Sequence, residues 1–426
     1  MPTLACRTLG CKVNQYDTEA MREILERAGY VSVSFEEDAD VYLVNTCTVT
    51  GTGDAKSLKL IRRLHREHPR SAVIAAGCLA QRAPEKVLNE GALLAIGVQR
   101  RGEVAELLKQ ALETGRPTDA TAPLKDAAFE RLSVSRHEGK TRATMKIQEG
   151  CDRYCSYCII PFVRGPVRSM PLADVRAEAA RLAQSGYREI VVTGIHLASY
   201  GRENGGTLID ALDAAGNTPG VMRVRIGSLE PACVTDEFAR ALRQIPGICP
   251  QFHLSLQSGS DTVLKRMNRR YTSGEYLDAC DTLRRYFPAC AVTTDVITGF
   301  PGETDEEFDE TLKFVKNARL ARLHVFPYSR RSGTYADKLP GQVAEEVKKR
   351  RTDELIRLGR QLECEYVRGL IGTCQSVLFE TRSEDGMCEG FTETYVLVRA
   401  NAEPGELKKV FITGAQDNLC TGEGVK

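Results

Sequence analysis

The chain has 426 residues, of which 58 are basic and 57 acidic, so overall charge neither indicates nor excludes a nucleic-acid partner. A hydrophobic content of 42% excludes a mainly disordered protein, and the length predicts two or three domains. Because no run of 18 apolar residues and no secretory leader pattern occurs, we expect a cytoplasmic protein without a membrane span. Its 15 cysteines, an odd number scattered along the chain, do not form a disulfide framework, so some are expected to bind metal.

Residues 1–120 alternate short apolar runs with amphipathic patterns, which predicts a parallel α/β domain of the flavodoxin-like kind. The predicted strands are Thr3–Leu9, Val41–Asn45, Ala72–Ala76 and Leu93–Ile96. The predicted helices are Gln15–Ala28, Ala55–His65, Pro84–Asn89 and Glu103–Leu112. The polar residues 121–139 are assigned to a linker.

Residues 140–342 repeat a strand–loop–helix unit, with helical patterns such as Leu172–Gln184 and Asp305–Val315. Six units are too few for a closed eight-stranded barrel, so we expect a partial (βα)6 barrel. The predicted strands are Thr144–Gln148, Glu189–Thr193, Met222–Ile226, Gln251–Leu256, Val292–Ile297 and Leu323–Phe326.

Residues 343–371 predict one long amphipathic helix that connects the barrel to the carboxy-terminal segment. Residues 372–426 show short apolar strands between glycine-rich turns, which predicts a small β-barrel. Its predicted strands are Cys374–Phe379, Thr394–Val398 and Glu406–Ile412.

Three cysteines, Cys151, Cys155 and Cys158, lie within eight residues directly after a predicted strand. Thiolates at this spacing suit three irons of a 4Fe–4S cluster and leave the fourth iron open to a small molecule. A zinc site is one alternative, but zinc needs a fourth ligand, and the nearest histidines are His137 and His196. Unrelated core thiols are the other alternative, which a loop with charged neighbours does not favour.

The motif Cys-x3-Cys-x2-Cys, with Tyr157 before the last cysteine, resembles the radical S-adenosylmethionine (SAM) superfamily. The resemblance implies that the open iron binds the methionine part of SAM, and that one-electron reduction yields a 5′-deoxyadenosyl radical. It also implies a glycine-containing motif at the end of the second strand, here Val191-Val-Thr-Gly194. Residues on loops after barrel strands are expected to contact the cofactor, although each polar one is equally suited to capping a helix: Tyr157, Gly194, Glu230 and Gln257.

Three further cysteines, Cys11, Cys47 and Cys78, each follow a predicted parallel strand, at the sheet edge where α/β ligand sites form. Their wide spacing alone is a weak signal. The motifs Leu9-Gly-Cys11-Lys, Asn45-Thr-Cys47-Thr and Ala76-Gly-Cys78-Leu resemble the amino-terminal domain of the methylthiotransferases, a radical SAM subfamily. The resemblance implies a second 4Fe–4S cluster on these cysteines, with an open iron that holds the sulfur to be methylated and transferred.

Basic residues occur in clusters near both proposed metal sites, although charge runs are usually solvated helix faces. The carboxy-terminal segment resembles the TRAM domain, a small RNA-binding barrel. From Cys364 onward it has 6 basic and 10 acidic residues, so only a local patch of it could bind phosphates. The residues expected to bind RNA are Lys56, Arg62, Arg63, Arg269 and Lys408.

The resemblance covers essentially the whole chain, and motifs such as Lys146-Ile-Gln-Glu-Gly-Cys151 are closest to one branch of the methylthiotransferases. That branch modifies C2 of N6-threonylcarbamoyladenosine at tRNA position 37. Sister branches, which act on isopentenyladenosine in tRNA or on a ribosomal-protein aspartate, stay open, as does an RNA-binding protein with structural or redox-sensing clusters. The resemblance implies two 4Fe–4S clusters and SAM as cofactors. The expected partners are tRNA and an electron donor such as flavodoxin or ferredoxin, with no membrane and a monomeric state.

Overall fold

A computed structural model describes residues 1–137 and 139–425. Glu138 of the predicted linker and Lys426 at the end of the predicted β-barrel lie outside the described residues. The predicted fold class is confirmed in all three parts: a parallel α/β part, a partial barrel and a small closed β-barrel. Among the described residues, every helix is too short or too polar to span a membrane.

The amino-terminal part is a six-stranded parallel sheet with helices on both faces. Its strand order, β2-β1-β3-β4-β5-β6, contains the flavodoxin-like order. The strands are β1 (Thr3–Thr8), β2 (Val31–Ser32), β3 (Val41–Thr46), β4 (Ala72–Gly77), β5 (Leu94–Ile96) and β6 (Thr118–Asp119). The helices are α1 (Lys12–Arg27), α2 (Gly51–Glu67), α3 (Cys78–Arg82), α4 (Pro84–Asn89) and α5 (Val104–Thr114).

Two of these helices begin a turn earlier than the sequence pattern predicts, α1 at Lys12 and α2 at Gly51. The Thr50 hydroxyl accepts a hydrogen bond from the Gly53 N–H at 3.0 Å and so caps α2. Glycine and threonine are poor helix formers, and the pattern therefore missed this first turn. Both early turns lie beside predicted metal-binding cysteines.

The central part is an arc of six parallel strands with helices on its convex side. The strands are β7 (Arg142–Glu149), β9 (Glu189–Gly194), β10 (Arg223–Ile226), β11 (Gln251–His253), β12 (Ala291–Thr298) and β13 (Arg322–Pro327), with β8 (Arg168–Ser169) antiparallel to β7. The helices are α6 (Ile160–Arg164), α7 (Leu172–Gln184), α8 (Leu208–Gly216), α9 (Asp236–Gln244), α10 (Asp261–Arg266), α11 (Ser273–Tyr286) and α12 (Asp305–Asn317). Short 3-10 helices lie at Arg101–Glu103, Leu197–Ser199, Pro231–Cys233 and Ala336–Lys338.

The barrel strands are amphipathic, with a period of two residues. Met145 and Ile147 of β7 pack in the main core against the surrounding helices. Polar residues at the alternate positions, such as Thr193, His253 and Asp295, line a cavity on the concave side. The concave face of the arc is therefore available for a ligand.

The carboxy-terminal part covers the amino-terminal end of the partial barrel. Helix α13 (Glu345–Arg368) leads into a closed barrel, ordered β14-β15-β16-β18-β17. Arg223 donates to the Phe391 carbonyl at 3.1 Å, and Arg225 donates to the Glu393 carbonyl at 2.8 Å. This small barrel does not cover the carboxyl ends of the partial-barrel strands, which face the amino-terminal part: the Gly51 N–H donates to the Ser329 hydroxyl at 3.1 Å. The five strands are β14 (Cys374–Arg382), β15 (Cys388–Thr392), β16 (Leu397–Ala400), β17 (Leu407–Gln416) and β18 (Leu419–Gly424).

A buried network of ionised side chains joins the amino-terminal part to the partial barrel. Arg101 binds Asp17, Glu149 at 3.0 Å and Glu130 at 2.8 Å. Lys146 binds Asp17 and also Glu149, at 3.1 Å. Burial by itself raises the pKa of Asp17, but the Arg101 and Lys146 cations outweigh it and lower that pKa below its usual value. Both sides of this interface are thus charged and mutually neutralised.

We predict that Arg101→Leu lowers the free energy of unfolding by about 3–5 kcal/mol, because removing one partner leaves buried carboxylates uncompensated. The matched control is Arg100→Leu, since the Arg100 side chain is 39% exposed and its one ion pair with a described residue is with Glu103. Its loss is expected to be about 0–1 kcal/mol. Urea unfolding of both variants, followed by circular dichroism, makes the comparison. Equal small losses would contradict a structural role for the network.

Candidate active site

The amino-terminal cysteines lie together at one edge of the sheet. Cys11 precedes α1, Cys47 directly follows β3, and Cys78 is the first residue of α3 after β4. Because β1, β3 and β4 are neighbours and parallel, their carboxyl ends bring the three thiols close enough to interact electrostatically. Cys11 is exposed and Cys78 is buried, so this trio reaches from the protein interior to the surface.

Glycines before two of the cysteines are required by the backbone. Gly77 has a φ of +89°, and a Cβ atom there would lie 2.2 Å from the Asn45 side-chain oxygen. Gly150 has a φ of +74°, and a Cβ atom there would lie 1.8 Å from the Pro166 carbonyl oxygen. Only glycine fits such positions, and each turn sets the direction of the cysteine that follows.

Arg164 connects the amino-terminal trio to the buried charge network. Its Nε donates to the Cys78 sulfur at 3.2 Å, and its Nη2 donates to the Asn14 side-chain oxygen. Its Nη1 binds Asp17 at 3.2 Å and also Glu149. Burial raises the pKa of Cys78 to about 11, and the guanidinium opposes this rise. A hydrogen bond from a cation stabilises a thiolate, so Arg164 favours the metal-binding form of Cys78.

The second trio, formed by Cys151, Cys155 and Cys158, lies on the loop between β7 and α6. Burial raises the pKa of Cys151 to about 11 and that of Cys158 to about 12. Nη1 of Arg269 donates to the Cys155 sulfur at 3.3 Å. Each trio therefore has one arginine N–H directed at one of its sulfurs.

Cys11 and the second trio line one cavity of about 560 Å³ at the carboxyl ends of the barrel strands. Of the residues expected to contact a cofactor, Tyr157, Gly194 and Glu230 also line this cavity. Gln257 does not. It is buried, and its backbone N–H donates to the Asp295 carbonyl at 2.9 Å.

Glu230 organises the cations around the second trio. It binds Arg153 at 2.5 Å and His196 at 3.2 Å, and it lies 3.8 Å from Arg269. Burial favours the neutral acid, but His196 and the arginines overcome this and lower the pKa of Glu230 to about 2. Glu230 is therefore ionised at neutral pH and holds Arg153 and Arg269 near the cysteine loop.

The residues present fit two cubane clusters, each with an open iron. Three thiolates with one N–H donor to sulfur form a typical iron–sulfur donor set, and cluster binding displaces the thiol protons. Within the described ranges, no three His, Cys, Asp or Glu side chains are close enough together to hold a single metal ion. A four-iron cube is wider than one ion, and its ligands stand correspondingly farther apart.

The basic residues predicted to bind RNA differ widely in exposure. Lys56 is exposed on α2 and has no ion-pair partner in the described part of the chain. Arg62 is held by Glu90, and Arg63 lies 3.7 Å from Glu67, so acidic neighbours offset both charges. Lys408 on β17 donates to the Asn401 carbonyl at 3.1 Å and remains partly exposed.

Arg269, which is also expected to bind RNA, lies away from the protein surface. Its side chain is only 8% exposed, and it contacts the Cys155 sulfur and the Tyr271 hydroxyl inside the barrel. The basic run after the fourth barrel strand suggested a solvated cluster. The chain turns this arginine inward, toward the thiols.

Sequence reasoning missed the charged residues that support the cysteines. Asn14 and Asp17 are one helical turn apart on α1, so both can face the same neighbour. Lys146 lies between the apolar residues Met145 and Ile147 in β7, and a lysine in such a place is rarely buried without an anionic partner. These local patterns were the available signals, but the partners themselves are distant in sequence.

Comparison with known proteins supports this arrangement. The model of the radical SAM superfamily matches residues 145–315, and a model described as an uncharacterised protein family, UPF0004, matches residues 3–97. A Bacillus subtilis (strain 168) protein named threonylcarbamoyladenosine tRNA methylthiotransferase MtaB is 42% identical over 408 residues, which are 93% of this chain and 90% of that protein. The chain belongs to the methylthiotransferase family of radical SAM proteins.

Relatives that carry a second name are also similar to this chain. A tRNA-2-methylthio-N6-dimethylallyladenosine synthase of Pelotomaculum thermopropionicum is 34% identical over 431 residues, which are 97% of this chain and 95% of that protein. A solved structure of the radical SAM methyltransferase TsrM from Kitasatospora setae, with cobalamin and a 4Fe–4S cluster, has a TM-score of 0.57 at 14% identity, covering 88% of this chain and 80% of that chain. This likeness shows the fold. Family membership implies SAM and two 4Fe–4S clusters as cofactors.

We predict that Arg164 stabilises a cluster bound to the amino-terminal trio and that Arg269 stabilises one bound to the second trio. Arg164→Lys keeps the positive charge but removes the guanidinium N–H that reaches the Cys78 sulfur. The affinity of the amino-terminal trio for its cluster is therefore expected to fall by about 10- to 100-fold. A chelator challenge in a Cys155→Ala background, where only that cluster assembles, isolates the effect. Arg269→Lys in the same background is the control and should leave iron release unchanged. Equal release rates in the two variants would contradict the assignment.

Proposed function

We propose that this protein adds a methylthio group to C2 of N6-threonylcarbamoyladenosine at position 37 of tRNA. The observation that carries the proposal is one cavity lined by a cysteine of the amino-terminal trio and all three of the second trio: Cys11, Cys151, Cys155 and Cys158. The first trio would hold the cluster that carries the sulfur, and the second trio would hold the cluster that binds SAM and supplies the radical, so that both would border the same cavity. The names of the most similar relatives support the choice of base.

The partners follow from the same chemistry. We propose tRNA as the substrate, a reduced flavodoxin or ferredoxin as the electron donor, and a monomer acting in the cytoplasm. The six cysteines act as cluster ligands, and within the cavity Tyr157, Gly194 and Glu230 contact SAM. The small carboxy-terminal barrel is proposed to be a TRAM-like module that contacts RNA through a local patch at Lys408.

Two cysteine variants separate radical generation from sulfur transfer. Cys155→Ala should abolish both SAM cleavage and thiomethylation, because SAM would bind and be cleaved at the cluster that Cys151, Cys155 and Cys158 hold. Cys47→Ala should still cleave SAM but transfer no sulfur. Liquid chromatography with mass spectrometry, applied to 5′-deoxyadenosine and to nucleosides from a threonylcarbamoylated tRNA, measures both activities.

The wild-type protein serves as the reference in the same assay. The proposed function predicts 2-methylthio-threonylcarbamoyladenosine in its product tRNA. Full thiomethylation by Cys47→Ala would remove any role for the amino-terminal trio. Thiomethylation of dimethylallyladenosine alone would move the protein to the sister branch.

The exposed lysines of α2 provide a test of RNA binding. Lys56 and Lys59 are exposed and lack ion-pair partners among the described residues. The double change to Met should weaken tRNA binding and lower the slope of log K against log salt by about one for each phosphate that is no longer neutralised. Arg62→Met is the matched control, because Glu90 already neutralises Arg62. Equal salt slopes in wild-type and double-variant titrations would exclude α2 from the interface.

A further inference from the structure

A second concave surface, the outer groove, lies on the far side of the cysteine loop from the active-site cavity. It has a volume of about 500 Å³, and its walls include Lys265 of α10 and Tyr335, which directly precedes the 3-10 helix after β13. Tyr154 and Ser156 line the outer groove, whereas Cys155, which lies between them in the sequence, lines the cavity. The cysteine loop therefore separates the groove from the cavity.

Hydrogen bonds hold the cysteine loop against both walls of the outer groove. The Asn268 side-chain N–H donates to the Tyr154 carbonyl at 2.9 Å, and the Ser156 N–H donates to the Met267 carbonyl at 3.0 Å. From the other wall, the Ala336 N–H donates to the Ser156 carbonyl at 2.7 Å. A partner bound in the groove would thus have a fixed position relative to the cysteines.

The outer groove provides a short route from the surface to the second trio. Tyr154 and Ser156 are each one peptide unit from Cys155, and consecutive Cα atoms are about 3.8 Å apart. Only the width of one residue therefore separates the groove from this cluster ligand. The proposed function places SAM and the substrate base on the other side of the loop, in the cavity. An electron can thus enter from the groove while the cavity is occupied.

The surface of the outer groove combines exposed aromatic rings with positive charge. Tyr154 is 55% exposed and Tyr335 is 68% exposed. Lys265 is exposed and has no ion-pair partner among the described residues, and none of the described carboxylates lines the groove. Arg266, which also lines the groove, is bound by Glu307 at 2.6 Å. Aromatic anchors beside an unpaired cation are suited to a protein interface with an acidic partner.

Two further cations extend this positive surface. Arg270 follows the lining residue Asn268 by two positions, and Lys338 directly precedes the lining residue Leu339. Both cations are exposed, and in the part of the chain that the structure describes neither has a carboxylate within ion-pair distance. Three unpaired cations therefore lie in or beside the groove.

RNA is the other anionic macromolecule that exposed cations and aromatic rings attract. The proposed function, however, places the substrate base in the cavity, on the far side of the cysteine loop. A groove that borders the cysteine loop without opening on the cavity suits a partner that exchanges electrons, because such a partner needs closeness to the cluster and no access to the base. The position of the groove thus favours a protein.

We propose, on the basis of the proposed function, that the outer groove docks an acidic electron-transfer protein that reduces the cluster of the second trio. One electron leaves the reduced prosthetic group of the partner, which is thereby oxidised by one electron, and enters the cluster, which is reduced by one. No bond forms or breaks in this step, and no proton is transferred. Electron-transfer complexes bury little surface, so we expect weak binding that depends on salt.

The test measures SAM cleavage by the reconstituted protein without RNA, driven by reduced flavodoxin. Dithionite, a small reductant that needs no docking site, drives the same reaction in parallel. The variants are Lys265→Glu and Tyr335→Ser, both at exposed positions. The matched control is Lys316→Glu, because Lys316 is likewise an exposed lysine in the last turn of its helix, α12, and does not line the groove. Isothermal titration calorimetry with oxidised flavodoxin gives the Kd.

Lys265→Glu and Tyr335→Ser should each raise the Kd for flavodoxin by about 3- to 10-fold, because the first reverses an exposed interface charge and the second removes an aromatic anchor. Cleavage driven by limiting flavodoxin should slow by a similar factor. Cleavage driven by dithionite, iron content and tRNA binding should match wild type, and Lys316→Glu should match it throughout. Added salt should weaken flavodoxin binding to wild type more than binding to Lys265→Glu.

Flavodoxin affinity equal to wild type in both groove variants would overturn the docking site, as would a wild-type protein that flavodoxin neither binds nor reduces. An equal loss of dithionite-driven cleavage would also overturn it, because the residues would then serve the cluster or SAM. Weaker tRNA binding with unchanged flavodoxin binding would assign the groove to RNA. Failure of the proposed function is distinguishable from all of these. In that case wild-type protein would cleave SAM with flavodoxin but leave threonylcarbamoylated tRNA without a methylthio group, and the flavodoxin measurements would still decide the groove.

Discussion

A buried charge network fixes the relative position of the two cysteine trios. Asp17 and Arg101 come from the amino-terminal part, Lys146 and Glu149 from the first barrel strand, and Arg164 from the helix after the cysteine loop. Burying ionised groups costs free energy unless every charge has a partner. These groups are mutually paired in one arrangement of the two parts, and that arrangement creates the shared cavity.

The network also reaches the sulfurs. Glu149 ends β7 two residues before Cys151, and Arg164 ends α6 six residues after Cys158, so both ends of the cysteine loop are anchored in it. From the same anchor Arg164 contacts Cys78. One set of contacts therefore positions both the cysteine loop of the barrel and the amino-terminal trio. Docking of the carboxy-terminal barrel at the opposite end of the strands leaves the cavity open to substrate.

Local patterns were enough to predict the six parallel strands of the partial barrel, four strands of the amino-terminal sheet and the closeness of the cysteines, because strand order and parallel direction place loop residues at one sheet edge. They did not predict the short strands β2, β6 and β8 or the strands β15 and β18 of the small barrel. They were not enough for Arg164 or for the cavity wall. Arg164 meets Asp17 across 147 positions of sequence. His253, Asp295 and His324 become neighbours only when three strands align, and Arg269 faces inward because Cys155 and Glu230 bind it. Such pairings depend on tertiary structure, and no pattern within a single segment of the sequence predicts them.

The central claim is that both clusters border one cavity. Electron paramagnetic resonance of the reconstituted, reduced protein tests it most directly. Spectra of Cys47→Ala and Cys155→Ala, each with one cluster, supply the two components. The account predicts that the full protein's spectrum differs from the sum of these components through spin–spin coupling between neighbouring clusters. A spectrum equal to that sum would contradict it.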